Sequence, residues 1–284
     1  MWILYAFCSA FFAGTTAILA KIGIKNTDSN LATAIRTIVV LVFSWLMVFI
    51  VGSQNEISQI SSKTLLFLIL SGLCTGGSWL CYFKALQLGD VNRVAPIDKS
   101  STILTLILAF IILGEKLTLT KIAAVILIGV GTYMMITKKD AEEKSQKGWA
   151  VYAVLSAVFA SLTSILGKIG ISDIESNLGT AIRTAVVLIM AWIVVFVSKK
   201  QKEIKNIDRR SMAFILASGI TTGLSWLSYY KALHDGNASA VVPIDKLSII
   251  VTVAFSYFVL KEKLTKKSLA GLIIITAGTM LMLI

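Results

Sequence analysis

The stretch SNLATAIRT (29–37) returns 147 residues further on as SNLGTAIRT (176–184). The same shift carries WLCYFKAL (79–86) onto WLSYYKAL (226–233), APIDK (95–99) onto VPIDK (242–246) and EKLT (115–118) onto EKLT (262–265). It needs no gap and gives roughly 64 identities over about 136 positions, so the chain is a duplicated unit. The halves are residues 1–137 and 149–284, with 138–148 as the linker.

Each half reads as five apolar segments, at about 2–21, 31–52, 64–88, 93–113 and 119–137, then 149–168, 178–198, 211–235, 240–260 and 266–284. A helix needs about 20 residues to cross 30 Å of hydrocarbon, and these segments match that length. The composition agrees: 56% hydrophobic and only 15% charged, with mean hydropathy +0.84, well outside the range of soluble domains. The first segment has no basic leader and ends on Lys21, so it counts as a span rather than a signal peptide. Cys8, Cys74 and Cys81 lie in apolar runs without framework spacing, as reduced core residues do. The fold expected is all-α integral membrane, with ten transmembrane helices.

Five spans are an odd number, so the second half starts on the opposite side of the membrane and the two repeats are inverted. The loops support this. The connection 53–62 has no lysine or arginine, whereas its repeat partner 199–210 has Lys199, Lys200, Lys202, Lys205, Arg209 and Arg210. Homologous loops with opposite charge bias fit the positive-inside rule, which puts 199–210 in the cytoplasm and both chain ends outside. The net charge of +12 is thereby an orientation signal, and nucleic-acid binding is not expected. Inverted repeats are a hallmark of secondary transporters, whose site lies at the repeat interface near the midplane.

Several motifs carry a family likeness: a lysine closing the first helix (Lys21, Lys168), an arginine early in the second (Arg36, Arg183), a small-residue third helix leading into YFKAL or YYKAL, and a GEKLT-like turn. With them the chain resembles, over its whole length, the EamA-type branch of the drug/metabolite transporter superfamily. The resemblance implies a ten-helix transporter of small metabolites. The small multidrug pumps of that superfamily use an acidic residue inside the first helix. Neither first helix here has one, which argues against simple glutamate-driven cation exchange.

Ionisable residues inside spans are costly, so they are functional or paired. Counting outward from the hairpin turns puts Lys21, Arg36, Lys84, Asp98 and Lys99 in one layer, and Lys168, Arg183, Lys231, Asp245 and Lys246 in a matching layer on the other side. An excess of cations in a low-dielectric cavity suits an anionic or carboxylate-bearing substrate. The other reading makes Lys84–Asp98 and Lys231–Asp245 hairpin ion pairs, with Lys21 and Lys168 snorkelling to the interface. Pro96 and Pro243 either interrupt a helix beside the cavity or start one. Gly72 and Gly76, like Gly219 and Gly223, permit close helix packing, while Ser78, Trp79 and Tyr82, with Ser225, Trp226 and Tyr229, are the alternative cavity lining. Glu115 and Glu262 read as caps or local pairs.

The function expected is secondary transport of a small polar or charged metabolite by alternating access, in the cell membrane. The alternatives are a channel and an integral-membrane enzyme. His234 has no repeat partner and no nucleophile–base pair stands out, so no catalytic residue, metal or cofactor is expected. The partners expected are the lipid bilayer, a small-molecule substrate and a coupling ion such as the proton.

Overall fold

A computed structural model describes residues 1–114, 118–135, 147–236 and 238–281. Glu115 and most of the 138–148 linker lie outside these residues, as does the side chain of Pro243. Among the described residues there is no strand. In chain order the helices are α1 (Trp2–Gly23), α2 (Ser29–Val51), α3 (Ser62–Leu88), α4 (Val91–Lys99), α5 (Ser101–Leu113), α6 (Leu119–Met135), α7 (Trp149–Ile171), α8 (Ser176–Val197), α9 (Arg209–Asp235), α10 (Ala238–Lys246), α11 (Ser248–Phe255) and α12 (Lys266–Leu281). Among the described residues seven stretches are long and apolar enough to cross a membrane: α1, α2, α3, α4 with α5, α7, α8 and α9. The protein is all-helical and built to pass the bilayer several times.

Local chemistry fixes the helix ends. Asp28 accepts from the N–H groups of Asn30 and Leu31 at 3.0 and 3.1 Å, and its repeat partner Glu175 does the same for Asn177 and Leu178 at 2.8 and 3.1 Å. Ser61 caps α3 through Thr64 N–H, and Asp208 caps α9 through Ser211 N–H, which holds the Asp208 carboxyl below the usual carboxylate range. Gly52 ends α2 in the left-handed region, φ +81°, and in the second repeat Lys199 takes that role at φ +57°.

Helices pack chiefly across the halves: α1 along α9, α3 along α7, α2 against α8 and α6 against α12. Glycine makes these approaches close. A Cβ at Gly72 would sit 2.8 Å from Val186 Cβ and 2.9 Å from the Arg183 carbonyl, and one at Gly219 2.9 Å from both Val39 Cβ and the Arg36 carbonyl. The third helix of each half therefore seats against the arginine turn of the other half's second helix.

Polar contacts sort the connections into two ends. At one end, Glu262 accepts from the N–H groups of Val91 and Asn92 at 3.3 and 3.2 Å, and from Ser256 Oγ at 2.8 Å. It is a cap, as expected, but for a helix of the other half. At the opposite end Glu56 accepts from Glu175 N–H at 3.1 Å.

Lys21 and Lys168 bind the carbonyls that close the third helices. Lys21 Nζ donates to the carbonyls of Leu86 and, at 2.6 Å, Gly89; Lys168 Nζ donates to those of Leu233 and Gly236 at 2.9 and 3.3 Å. The final carbonyls of α3 and α9 have no helical partner, and an ammonium within reach satisfies them. Pro96 does not start its helix either: it lies inside α4, which begins at Val91 and breaks after Lys99.

Candidate functional site

The breaks after Lys99 and Lys246 place Asp98–Lys99 and Asp245–Lys246 at the inner ends of two short helices. Nine residues at about 1.5 Å each span about 13 Å, close to half the hydrocarbon thickness. There a cavity of about 150 Å³ is lined by α1, α2, α3, α4, α7, α9 and α10. A single water needs about 10–15 Å³ by this measure, so the space admits a small metabolite.

Asp98, Lys99, Asp245 and Lys246 all face this one cavity, together with Arg36, Trp79, Tyr82, Trp226 and Tyr229. The hairpin bookkeeping put the acidic–basic pairs of the two halves in separate layers. Because the short helices reach from opposite ends to the same depth, the structure joins them. Asp98 accepts from Ser156 Oγ at 2.9 Å and Asp245 from Ser9 Oγ at 2.6 Å. Lys99 Nζ stands 3.9 Å from Asp98 Oδ2, so this lysine has a partner on its own helix. Ser78 Oγ donates to the Ser156 carbonyl and Ser225 Oγ to that of Ser9, both at 3.1 Å. Trp79 and Trp226 meet edge to face, centroids 5.5 Å apart.

Lys84 and Lys231 are not in this site. Lys84 Nζ donates to Gln87 Oε1 at 3.0 Å and Lys231 Nζ pairs with Asp235 at 3.1 Å, so the ion pairs to Asp98 and Asp245 do not form. The difference lies in the direction each side chain takes around its helix. Tyr82 and Tyr229 face the cavity, and a residue two further on points about 200° away.

The arginines also part company. Arg36 is buried and lines the cavity; its Nη2 donates to the Ser218 carbonyl at 3.2 Å and to Thr222 Oγ1. Arg183 is equally buried but stands outside the lining, donating from Nε to Ser71 Oγ at 2.9 Å and from Nη2 to Thr75 Oγ1 at 2.8 Å. Each guanidinium lies over aromatic rings, Arg36 at 4.1 Å from the Phe83 centroid and Arg183 at 4.2 Å from that of Tyr230.

Sequence reasoning passed over Ser9 and Ser156, the donors to the two aspartates. The signal was there: both are serines at the same repeat position, in the middle of an apolar span. Thr75 and Thr222 escaped notice in the same way.

A membrane-spanning helical protein with a polar cavity at the centre of a duplicated chain belongs to the class of membrane transporters. The model of the EamA-like transporter family matches residues 1–137 and again 147–284, and the chain belongs to that family. An uncharacterized transporter of Sinorhizobium sp is 45% identical over 134 residues, 47% of this chain and 95% of that protein. A protein of Rickettsia bellii named as an S-adenosylmethionine uptake transporter is 27% identical over 215 residues, 75% of this chain and 70% of the relative. A solved crystal structure shares the fold, with TM-score 0.74 at 12% identity, over 99% of this chain and 96% of its own.

Proposed function

We propose that the protein is a secondary transporter of the cell membrane that carries a small polar metabolite by alternating access. The observation that carries this reading is the central cavity, to which both halves contribute the same Asp–Lys pair, serine and tryptophan. Such a site at an inverted-repeat interface can be exposed to either side by equivalent movements. Counting α4 with α5 and α10 with α11 as single spans gives ten, five in each of the units 1–137 and 149–284, which are inverted relative to one another. The contact of the 53–59 connection with the start of α8, and of Glu262 with the start of α4, supports that parity. The pairs α1–α9 and α3–α7, which cross the halves, are the bodies that stay together during the movement. The basic 199–210 connection faces the cytoplasm.

The name of the Rickettsia relative points to uptake of a polar small molecule and does not decide the cargo. Counterflow in proteoliposomes tests the reading. Vesicles preloaded with unlabelled substrate should accumulate labelled substrate above its external concentration, and saturably. Flux that is unsaturable and shows no counterflow would make the protein a channel.

A further inference from the structure

The two buried arginines occupy the same repeat position, yet the structure treats them differently. Arg183 has acceptors for two of its donor nitrogens, Ser71 Oγ for Nε and Thr75 Oγ1 for Nη2, its Nη1 is left without one, and the Tyr230 ring lies under the guanidinium. At Arg36 the repeat counterpart of Ser71 is Ser218, whose hydroxyl turns to the Ile215 carbonyl of its own helix and takes no hydrogen bond from the guanidinium; only the Ser218 carbonyl does. The partner of Tyr230 is Phe83, which has no hydroxyl. Arg36 Nε and Nη1 are consequently buried with no acceptor among the described residues. Arg36 lines the cavity and Arg183 does not. The cavity's ionisable lining is also unbalanced, with Asp98 and Asp245 against Lys99, Lys246 and Arg36.

A buried donor left without an acceptor is expensive, and a charged one more so. We propose that Arg36 is the anion-binding arm of the site, and that the substrate carries a carboxylate which accepts hydrogen bonds from this guanidinium and cancels the surplus charge. A carboxylate suits a planar donor set better than a point charge would. Arg183 is the structural counterpart: it keeps one buried donor, Nη1, without an acceptor against two at Arg36, and it does not line the cavity. The site therefore has a polarity that the duplication does not: the anionic end of the substrate lies toward Arg36, over Phe83 and Trp79, whose centroid is 5.7 Å from the guanidinium carbon. This rests on reading the cavity as the substrate site.

The test uses thermal unfolding of the purified full chain in detergent with matched ligand pairs: benzoate and benzamide, lactate and lactamide, N-acetylglycine and its amide. At least one carboxylate should raise the melting temperature in a saturable way while its amide does not. Phe83→Tyr places beneath Arg36 the hydroxyl that the second repeat carries at Tyr230, offers the unpartnered donors an acceptor of the protein's own, and should weaken that carboxylate about tenfold without lowering the ligand-free melting temperature. Tyr230→Phe should leave the affinity unchanged, and Arg36→Lys should weaken it. No stabilisation by any carboxylate, equal stabilisation by acids and amides, or equal losses in Phe83→Tyr and Tyr230→Phe would each overturn the assignment. Counterflow of a neutral or cationic substrate would overturn it too, while leaving the transporter reading intact.

Discussion

Ser9 and Asp245 are joined by a 2.6 Å hydrogen bond between α1 and α10, and Ser156 and Asp98 repeat it at 2.9 Å between α7 and α4. Each bond ties the inner end of a broken helix to the first helix of the opposite half. A hydrogen bond to a charged group is worth about 1.5–3 kcal/mol. Ser9→Ala should lower the melting temperature and the transport rate, and the stability loss should shrink in an Asp245→Asn background. Equal losses in both backgrounds would show that the serine acts through packing rather than through the aspartate.

The glycine contacts predict a steric penalty. Gly219→Ala adds a Cβ 2.9 Å from the Arg36 carbonyl and 2.9 Å from Val39 Cβ, and neither is the tip of a flexible side chain. Overpacking of this kind costs about 1–3 kcal/mol. Melting of a fluorescent fusion by size-exclusion chromatography measures it, and an unchanged melting temperature would refute the tight α9–α2 approach.

The αL position at the end of α8 offers a gain instead. Lys199 holds φ +57° where the first repeat uses Gly52, and a non-glycine residue there costs about 1–2 kcal/mol, partly offset by the entropy that glycine loses on folding. Lys199→Gly should stabilise the protein by up to about 1 kcal/mol, and Gly52→Ala should destabilise it by a similar amount. Opposite signs would contradict the backbone assignment.

Sequence reading went furthest where it relied on the repeat and least far where it relied on geometry around a helix. The 147-residue shift fixed which residues are equivalent, and the Asp–Lys pairs and tryptophans duly line one cavity. Residue counting along each helix, at about 1.5 Å per residue, put the two Asp–Lys pairs in separate layers and missed that they meet in one cavity. The facing of Lys84 was not legible, because it depends on how α3 is rotated against neighbours that belong to the other half. The partners of Lys21 were not legible for a related reason: at Leu86 and Gly89 they are backbone carbonyls, which leave no mark in a pattern of side chains. The difference between Arg36 and Arg183 was written in one letter, Phe83 against Tyr230, but its meaning needed the rings placed beneath the guanidinium groups.

The proposed inversion of the halves has a labelling consequence. Glu56 contacts the start of α8 at one end, whereas Glu203 lies in the connection leading to α9, whose cap Asp208 borders the opposite end beside Glu262. With Cys8, Cys74 and Cys81 replaced, a cysteine at 56 and one at 203 should react with an impermeant maleimide from opposite sides of the membrane. Labelling of both from the same side would sink the inverted topology.

Lys99 and Lys84 give the sharpest contrast. Both occupy the same depth by residue counting, but Lys99 faces the cavity 3.9 Å from Asp98, while Lys84 is held by Gln87 outside it. Lys99→Gln should abolish transport and change stability little, because a 3.9 Å contact beside water-accessible space contributes only modestly to folding. Lys84→Gln should transport nearly normally. Asp98→Asn should lose transport and stability together, since it replaces the charged acceptor of Ser156 with a neutral amide oxygen and leaves Lys99 uncompensated near the membrane centre, where a lysine costs about 2.5–3.5 kcal/mol. Initial uptake rates in proteoliposomes, normalised to folded protein, decide among these. Should Lys84→Gln abolish uptake while Lys99→Gln preserves it, the cavity described here is not the transport site.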